Sequence, residues 1–167
     1  MPYILDRMPS ITDTPPHILC KLRNDFVSYA ERWIGTPYKW GGDDFSSLDC
    51  SGLVVECFKG IGWFEESEDH SANALYVMFR HKEVREPEKG CLVFWFKENN
   101  RAVHVAVCKD ERLIIHAAGG GSLTETIDDA AEQNAYVKQR GLETVAQTRK
   151  QRFGQDYRIV DPFLKKM

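Results

Sequence analysis

The chain has 167 residues, of which 43% are hydrophobic and 28% charged, a balance typical of one soluble globular domain. Its net charge of -3, spread over interleaved acidic and basic residues, excludes the basic footprint of a nucleic-acid-binding protein and the basic stripe of a membrane-surface helix. The five cysteines show no paired short spacing, which excludes a CxxC zinc motif and argues against a disulfide framework.

The chain opens with a proline-punctuated segment. Residues 1–14 are expected to form an extended lead-in, and residues 15–167 a single domain. No apolar run reaches the length of a signal-peptide core or of a membrane span. As written, the sequence predicts a cytoplasmic protein, or one that leaves the cell by a route without a Sec signal.

Helical patterns occupy the first half of the chain. Apolar residues at three- and four-residue spacing predict an amphipathic helix over residues 16–34, with prolines at its start. A Pro- and Gly-punctuated loop over residues 36–42 leads to a second helix, which begins near Cys50 and is stopped by Gly60. Residues 70–80 are expected to form another short helix.

The second half of the chain changes to strand patterns. Residues 91–96 are a continuous apolar and aromatic run, and a polar turn separates two β-branched runs over residues 103–107 and 113–117. Helices first and an antiparallel sheet afterwards predict an α+β domain. The remaining expectations are a helix over 126–139, a polar segment without a clear pattern over 140–155, and a last strand over 157–160.

The segment Asp49-Cys50-Ser51-Gly52 places a cysteine at a predicted helix N-terminus. The positive end of the helix dipole favours thiolate over thiol there, and thiolate is the nucleophilic form. Cys50 is therefore a candidate nucleophile. The competing interpretation is burial as a small hydrophobic residue, because free cysteine is among the most buried residue types. On this segment alone the two interpretations are equal.

A nucleophilic cysteine needs a general base, and the base needs an orienting partner. His104 and His116 each interrupt an apolar strand, where an unsatisfied polar side chain costs free energy. A turn of residues 109–111 would pair Cys108 with Arg112 and set the two histidines directly opposite on one face, whereas a two-residue turn would separate them onto opposite faces. The other histidines, His17, His70 and His81, are expected to be solvated or capping side chains.

In the same-face register the chemical roles follow. Cys50 attacks a carbonyl carbon, His104 takes the thiol proton and later protonates the leaving amine, and His116 orients His104. The oxyanion could be held by the Cys50 backbone N–H and the Tyr38 hydroxyl. No cofactor is expected for this chemistry. A zinc site from Cys50, His104, His116 and Cys91 or Cys108 is the alternative, although the spacings match no familiar zinc pattern.

Five short segments follow one another in order over roughly residues 20–118. They are Trp33-Ile34-Gly35-Thr36-Pro37-Tyr38, Trp40-Gly41-Gly42, Asp49-Cys50-Ser51-Gly52-Leu53-Val54, His104-Val105 and Ile115-His116-Ala117. Together they resemble the NlpC/P60 family of papain-like cysteine peptidases. The resemblance implies an α+β, papain-like fold in which N-terminal helices, one with the nucleophile at its N-terminus, pack on a central antiparallel sheet.

The resemblance also implies an activity and a site. It implies a thiol hydrolase of bacterial cell-wall peptides, commonly cleaving between γ-D-Glu and diaminopimelate or Lys, with a cell-wall peptide or muropeptide as partner. The implied triad is Cys50, His104 and His116. The further residues expected at the substrate are Tyr38, which lines the site, Asp49 and Ser51, which contact substrate, and Trp40 near the groove.

The chain also departs from the family pattern. The usual Pro-Gly-Asp-Leu turn is replaced by Lys89-Gly90-Cys91-Leu92, and the usual Leu-Pro-Arg-Thr-like segment by acidic residues 64–69. Residues 119–155 form an extension that could cap the groove, and a phage-borne protein is one expectation for such a chain. Two alternatives stay open: an amidase or acyltransferase of the same fold, and a non-catalytic phage or structural binding domain.

Overall fold

The computed structural model describes residues 11–44, 47–120 and 123–165. Helices dominate the first half of the chain, and most strands of the main sheet lie in the second half, as the sequence predicts. In chain order they are α1 (Pro16–Arg32), β1 (Asp43–Asp44), β2 (Ser47–Leu48), α2 (Cys50–Gly60), α3 (Ala72–Phe79), β3 (Glu83–Val84), β4 (Leu92–Phe96), β5 (Ala102–Cys108), β6 (Leu113–Ala118), α4 (Ile127–Glu132), β7 (Tyr136–Gly141), α5 (Leu142–Phe153) and β8 (Asp156–Val160).

The centre of the fold is an antiparallel sheet that is buried on both faces. Within the described residues it has six strands in the order β3-β8-β4-β5-β6-β7. On one face, Leu92 and Phe94 of β4 pack with α1, α2 and α3. On the other face, Val93 and Trp95 pack with Leu142 and Val145 of α5. The apolar run that predicts β4 is continuous because both of its faces lie in the core, and the predicted α+β class is confirmed.

One predicted helix is wrong. Residues 126–139 form the short helix α4 and then the strand β7, which pairs with β6 along its whole length. Asn134 has a φ of 52°, so the chain takes a left-handed conformation that an α-helix cannot contain. The polar segment that follows contains α5, whose buried residues are Leu142 and Val145. This narrow apolar face explains why no helical pattern was visible.

Two further expectations concern the chain ends and the extension. Ile11–Asp13 is a turn of 3-10 helix with Ile11 buried, so these residues are not the extended segment that was expected, and residues 1–10 lie outside the described ranges. Residues 119–155 contribute β7 to the main sheet and α5 to its covering layer.

In the described part of the chain, no helix is both long and apolar enough to cross a membrane.

The β5–β6 hairpin differs from the expected register. Cys108 pairs with Ile114 and not with Arg112. The turn comes one residue later because the Asp110 carboxylate accepts hydrogen bonds from the backbone N–H groups of Arg112 and Leu113, both at 2.8 Å. A shift of two residues in pairing leaves every side chain on its original face. The two strand histidines therefore still share a face.

Substitution at position 134 tests the origin of the α4–β7 break. Asn134→Ala should lower the free energy of unfolding by about 1 kcal/mol, because a Cβ-bearing residue without a polar side chain tolerates the left-handed conformation poorly. Asn134→Gly should lie within about 0.5 kcal/mol of the original protein. Urea denaturation measures both variants, and equal losses for Ala and Gly would contradict the backbone explanation.

Candidate active site

Cys50 is the first residue of α2, as predicted, so its thiol stands where the helix N–H groups point outward. The sulfur accepts a hydrogen bond from the backbone N–H of Val105 on β5. Val105 directly follows His104. The thiol is thus held against the strand that carries the expected base.

The Asp49 carboxylate fixes the turn that leads into α2. Its Oδ1 accepts from the Gly52 N–H at 2.6 Å and from the Ser51 hydroxyl at 3.2 Å. Its Oδ2 accepts from the Gly41 N–H at 3.0 Å, which ties the preceding loop to the helix. Burial raises the pKa of Asp49, and these hydrogen bonds oppose that rise. Asp49 is therefore a helix N-cap that positions the backbone around Cys50.

Gly52 lies where no side chain fits. A Cβ at this position would collide with the carbonyl oxygen of Gly42, which itself accepts from the Asp49 N–H at 3.1 Å. The missing side chain lets the loop close over the first turn of α2. The glycine of the Asp49–Gly52 segment is thus required by a close backbone approach.

His104 on β5 and His116 on β6 form a buried pair. They are 5% and 4% exposed, and the distance from His104 Nε2 to His116 Nδ1 is 2.8 Å. Their ring planes cross at 76°. The expected contact therefore forms between diagonal neighbours on one face, since the ladder is shifted by two residues.

Burial dominates the protonation of the site. It raises the pKa of the Cys50 thiol to about 11, with the charge of Asp49 acting in the same direction and the Val105 N–H opposing it. Burial lowers the pKa of His104 well below 6.5 and that of His116 to about 3, and the positive charge of Arg149 lowers both further. These shifts favour the neutral forms of the thiol and of both imidazoles. Burial thus opposes the thiolate that the helix dipole favours at this position.

A cleft of about 710 Å³ lies over the cysteine and the first histidine. His116 does not line it and instead lies behind His104. Tyr38 is buried at the cleft wall, whereas Trp40 is 58% exposed at its rim. The predicted site residues that line the cleft are Tyr38, Trp40, Asp49, Cys50, Ser51 and His104.

Three residues of the cleft were missed by sequence reasoning. His70 was expected to be solvated, but it is half-buried with its ring centroid 5.0 Å from that of Phe64. Gly120 lies under Tyr38, and a Cβ on it would collide with the tyrosine ring. Arg149 reaches the cleft from α5. Only Gly120 carried a sequence signal, the run of glycines after β6.

The zinc alternative is not supported by the geometry. Cys91 and Cys108 pack in the cluster between the sheet and α5, whereas Cys50 borders the cluster on the opposite face. Among the residues that the structure describes, no group of three or more His, Cys, Asp or Glu side chains could hold a metal ion.

A helix-borne cysteine and a strand-borne histidine in one cleft, with a second histidine in contact with the first, define the class of α+β thiol hydrolases. Comparison with known proteins narrows this class. The model of the NlpC/P60 family matches residues 35–150. The chain belongs to the NlpC/P60 family, as the sequence motifs predicted.

Two curated relatives each align with 70% of the chain. The chain is 29% identical over 120 residues to the protein named "Probable peptidoglycan endopeptidase LytE" from Bacillus subtilis, with 70% of this chain and 32% of the relative aligned. It is 28% identical over 117 residues to "Probable endopeptidase NlpC homolog" from Haemophilus influenzae, with 70% and 61% aligned. The chain thus spans less than two thirds of the length of these relatives.

Solved structures confirm the fold. The peptidoglycan hydrolase RipB from Mycobacterium tuberculosis aligns with a TM-score of 0.64 at 18% identity, covering 94% of this chain and 72% of that chain. An NlpC/P60 family protein from Bacillus cereus aligns with a TM-score of 0.62 at 18% identity, covering 92% and 42%. At these identities the likeness concerns the fold alone.

The protonation of Cys50 can be measured by alkylation against pH. Alkylation requires thiolate, so a raised pKa moves the midpoint of the rate profile upward, above the value of about 8.5 for a model thiol. Iodoacetamide labelling, followed by peptide mass spectrometry, resolves Cys50 from the other cysteines, with exposed Cys20 as the internal reference for reagent activity. A midpoint at or below that of a model thiol would show that the helix dipole and the histidine outweigh burial.

Proposed function

We propose that this protein is a cysteine endopeptidase that hydrolyses amide bonds of bacterial cell-wall peptides, between γ-D-Glu and diaminopimelate or Lys. The observation that carries the proposal is the buried contact of 2.8 Å between His104 and His116, behind a cleft that also holds Cys50. Family membership supports the reaction class, and relatives named as peptidoglycan endopeptidases and hydrolases support the substrate class.

The histidine contact supports a specific role for each ring nitrogen of His104 in this proposal. His104 uses Nε2 toward His116, so its Nδ1 is left to take the proton from the Cys50 thiol. For His104 to be the base, its Nε2 must carry the proton and donate to His116 Nδ1. His116 is then the neutral tautomer with its proton on Nε2, an atom without a partner among the described residues. It acts by holding the His104 ring in place.

The proposed reaction passes through a thioester intermediate. As the Cys50 sulfur attacks the carbonyl carbon, its proton passes to His104 Nδ1, because the resting thiol is neutral. The negative oxygen is stabilised by the Cys50 backbone N–H and the Tyr38 hydroxyl. Burial raises the pKa of Tyr38, which keeps that hydroxyl protonated as a donor. His104 returns the proton to the leaving amine, and water hydrolyses the thioester.

The remaining cleft residues have supporting roles in this proposal. The Ser51 hydroxyl donates a hydrogen bond to Asp49 at the start of α2, so the two residues hold the nucleophile in position. Both also line the cleft, where they can contact substrate. Trp40 offers an exposed aromatic face at the rim. The 119–155 extension caps the groove by placing Gly120, Arg149 and Phe153 in the cleft wall, as a narrow peptide substrate requires.

Cleavage of a defined muropeptide tests the function directly. The purified protein should release L-Ala-γ-D-Glu from L-Ala-γ-D-Glu-diaminopimelate or its Lys analogue, as read by mass. Cys50→Ala should abolish cleavage, because no other group supplies the attacking sulfur. Cys20→Ala, at an exposed position of α1, is the matched control and should cleave normally. Cleavage by the Cys50→Ala protein would contradict the nucleophile, and cleavage of no wall peptide would favour an amidase or binding role.

A second experiment tests the oxyanion role of Tyr38. Tyr38→Phe removes the hydroxyl and should lower kcat by about 100-fold, as loss of one oxyanion donor does. Gly120→Ala should lower kcat to a similar degree, because the added Cβ displaces the tyrosine ring. The double variant should be no slower than either single variant. Additive losses, or an unchanged kcat in Tyr38→Phe, would contradict the assignment.

A further inference from the structure

Helix α5 brings a positive charge into the cleft. Arg149 lines the same cleft as Cys50 and His104. Its guanidinium carbon lies 5.4 Å from the ring centroid of Trp95, whose ring centroid lies 5.5 Å from that of His104. Arg149, Trp95 and His104 thus form a continuous row of contacts in which the Trp95 and His104 rings are tilted by 50°.

The guanidinium is anchored but not neutralised. Arg149 Nη1 donates to the Oε1 of buried Gln155 at 2.7 Å, and the guanidinium carbon lies over the Trp95 ring. In the described ranges no carboxylate forms an ion pair with Arg149. Burial lowers the pKa of Arg149 to about 10. A partly buried cation that keeps N–H donors and has no carboxylate partner among the described residues is suited to bind an anion.

The other charges of the cleft do not fill this role. Lys97 and Arg101 also line it, but both are exposed, where water and salt screen them. The acidic residue nearest the nucleophile, Asp49, uses both carboxylate oxygens on N–H and hydroxyl donors of its own turn. Arg149 is therefore the cleft cation whose charge is least screened, and it lowers the pKa of the Cys50 thiol.

We propose that Arg149 binds a free carboxylate on the acyl side of the scissile amide and so determines specificity. The inference rests on the proposed function and deepens it. In a γ-linked glutamate the α-carboxylate is only a short carbon chain away from the carbonyl that Cys50 attacks. A guanidinium beside the nucleophile matches a carboxylate at that separation, and charge-assisted hydrogen bonds make the pair strong.

A matched substrate pair isolates this contact. The two peptides are L-Ala-γ-D-Glu-L-Lys and its analogue with the glutamate α-carboxylate converted to an amide, both with amidated C-termini. The original protein should prefer the acid. Arg149→Gln should lower kcat/KM for the acid by about 10- to 100-fold and change the amide by less than about threefold. Arg149→Lys should keep part of the preference, because it keeps the charge without the planar fork.

Two arginine variants serve as controls. Arg152→Gln makes the same charge change on an exposed part of α5 and should leave both substrates unaffected. Arg101→Gln tests the cleft rim. Loss of the acid preference in Arg101→Gln with its retention in Arg149→Gln would overturn the proposal. An equal loss for acid and amide in Arg149→Gln would also overturn it, since that pattern indicates support of the thiol or of the fold.

Binding separates this inference from the proposed function. In the Cys50→Ala background, calorimetry should show that the acid binds more tightly than the amide and that Arg149→Gln removes the difference. Preference in binding without cleavage by the original protein would reject the peptidase and retain the carboxylate site. Cleavage by the original protein without any acid preference would retain the peptidase and reject the carboxylate site. Binding of neither peptide would reject both.

Discussion

The buried hydrogen bond between His104 and His116 is the constraint on which the rest of the site depends. Two imidazoles placed in apolar strands would each cost free energy without a partner. Their contact at 2.8 Å satisfies one nitrogen of each ring and restricts the orientation of the His104 ring. The strand register need only keep both rings on one face for this bond to form, which is why a shift of two residues in the ladder left it intact.

Burial also decides the electrostatics around that pair. It favours the neutral forms of the Cys50 thiol and of both imidazoles, and it leaves Arg149 as a partly desolvated cation in the same cleft as Cys50 and His104. In the proposed reaction a neutral thiol loses its proton during attack, which gives His104 the role of a general base and not that of a partner in a preformed ion pair. The positive charge of Arg149 stays available for an anionic ligand because no carboxylate in the described part of the chain forms an ion pair with it.

The sequence predicted the elements that carry strong local signals. The helix start at Cys50 was predicted within the Asp49-Cys50-Ser51-Gly52 segment, and β4, β5 and β6 followed from apolar and β-branched runs. Over residues 126–155 the local sequence pattern did not predict the secondary structure correctly. A left-handed Asn134 ended the helix early, an edge strand with polar side chains resembled a helix, and α5 hid its narrow apolar face in a polar segment. Edge strands and helices with few buried residues depend on tertiary partners more than on local pattern.

The sequence by itself determined the family, the fold class and the three residues proposed as the triad, because these depend on residue type at fixed positions along single strands and one helix start. The tertiary structure alone decided the hairpin pairing, the raised pKa of the Cys50 thiol and the position of Arg149 in the cleft. Each of these arises from groups far apart in the chain. Burial and contact between distant segments set pKa values and charge environments, and neither leaves a periodic trace in the sequence.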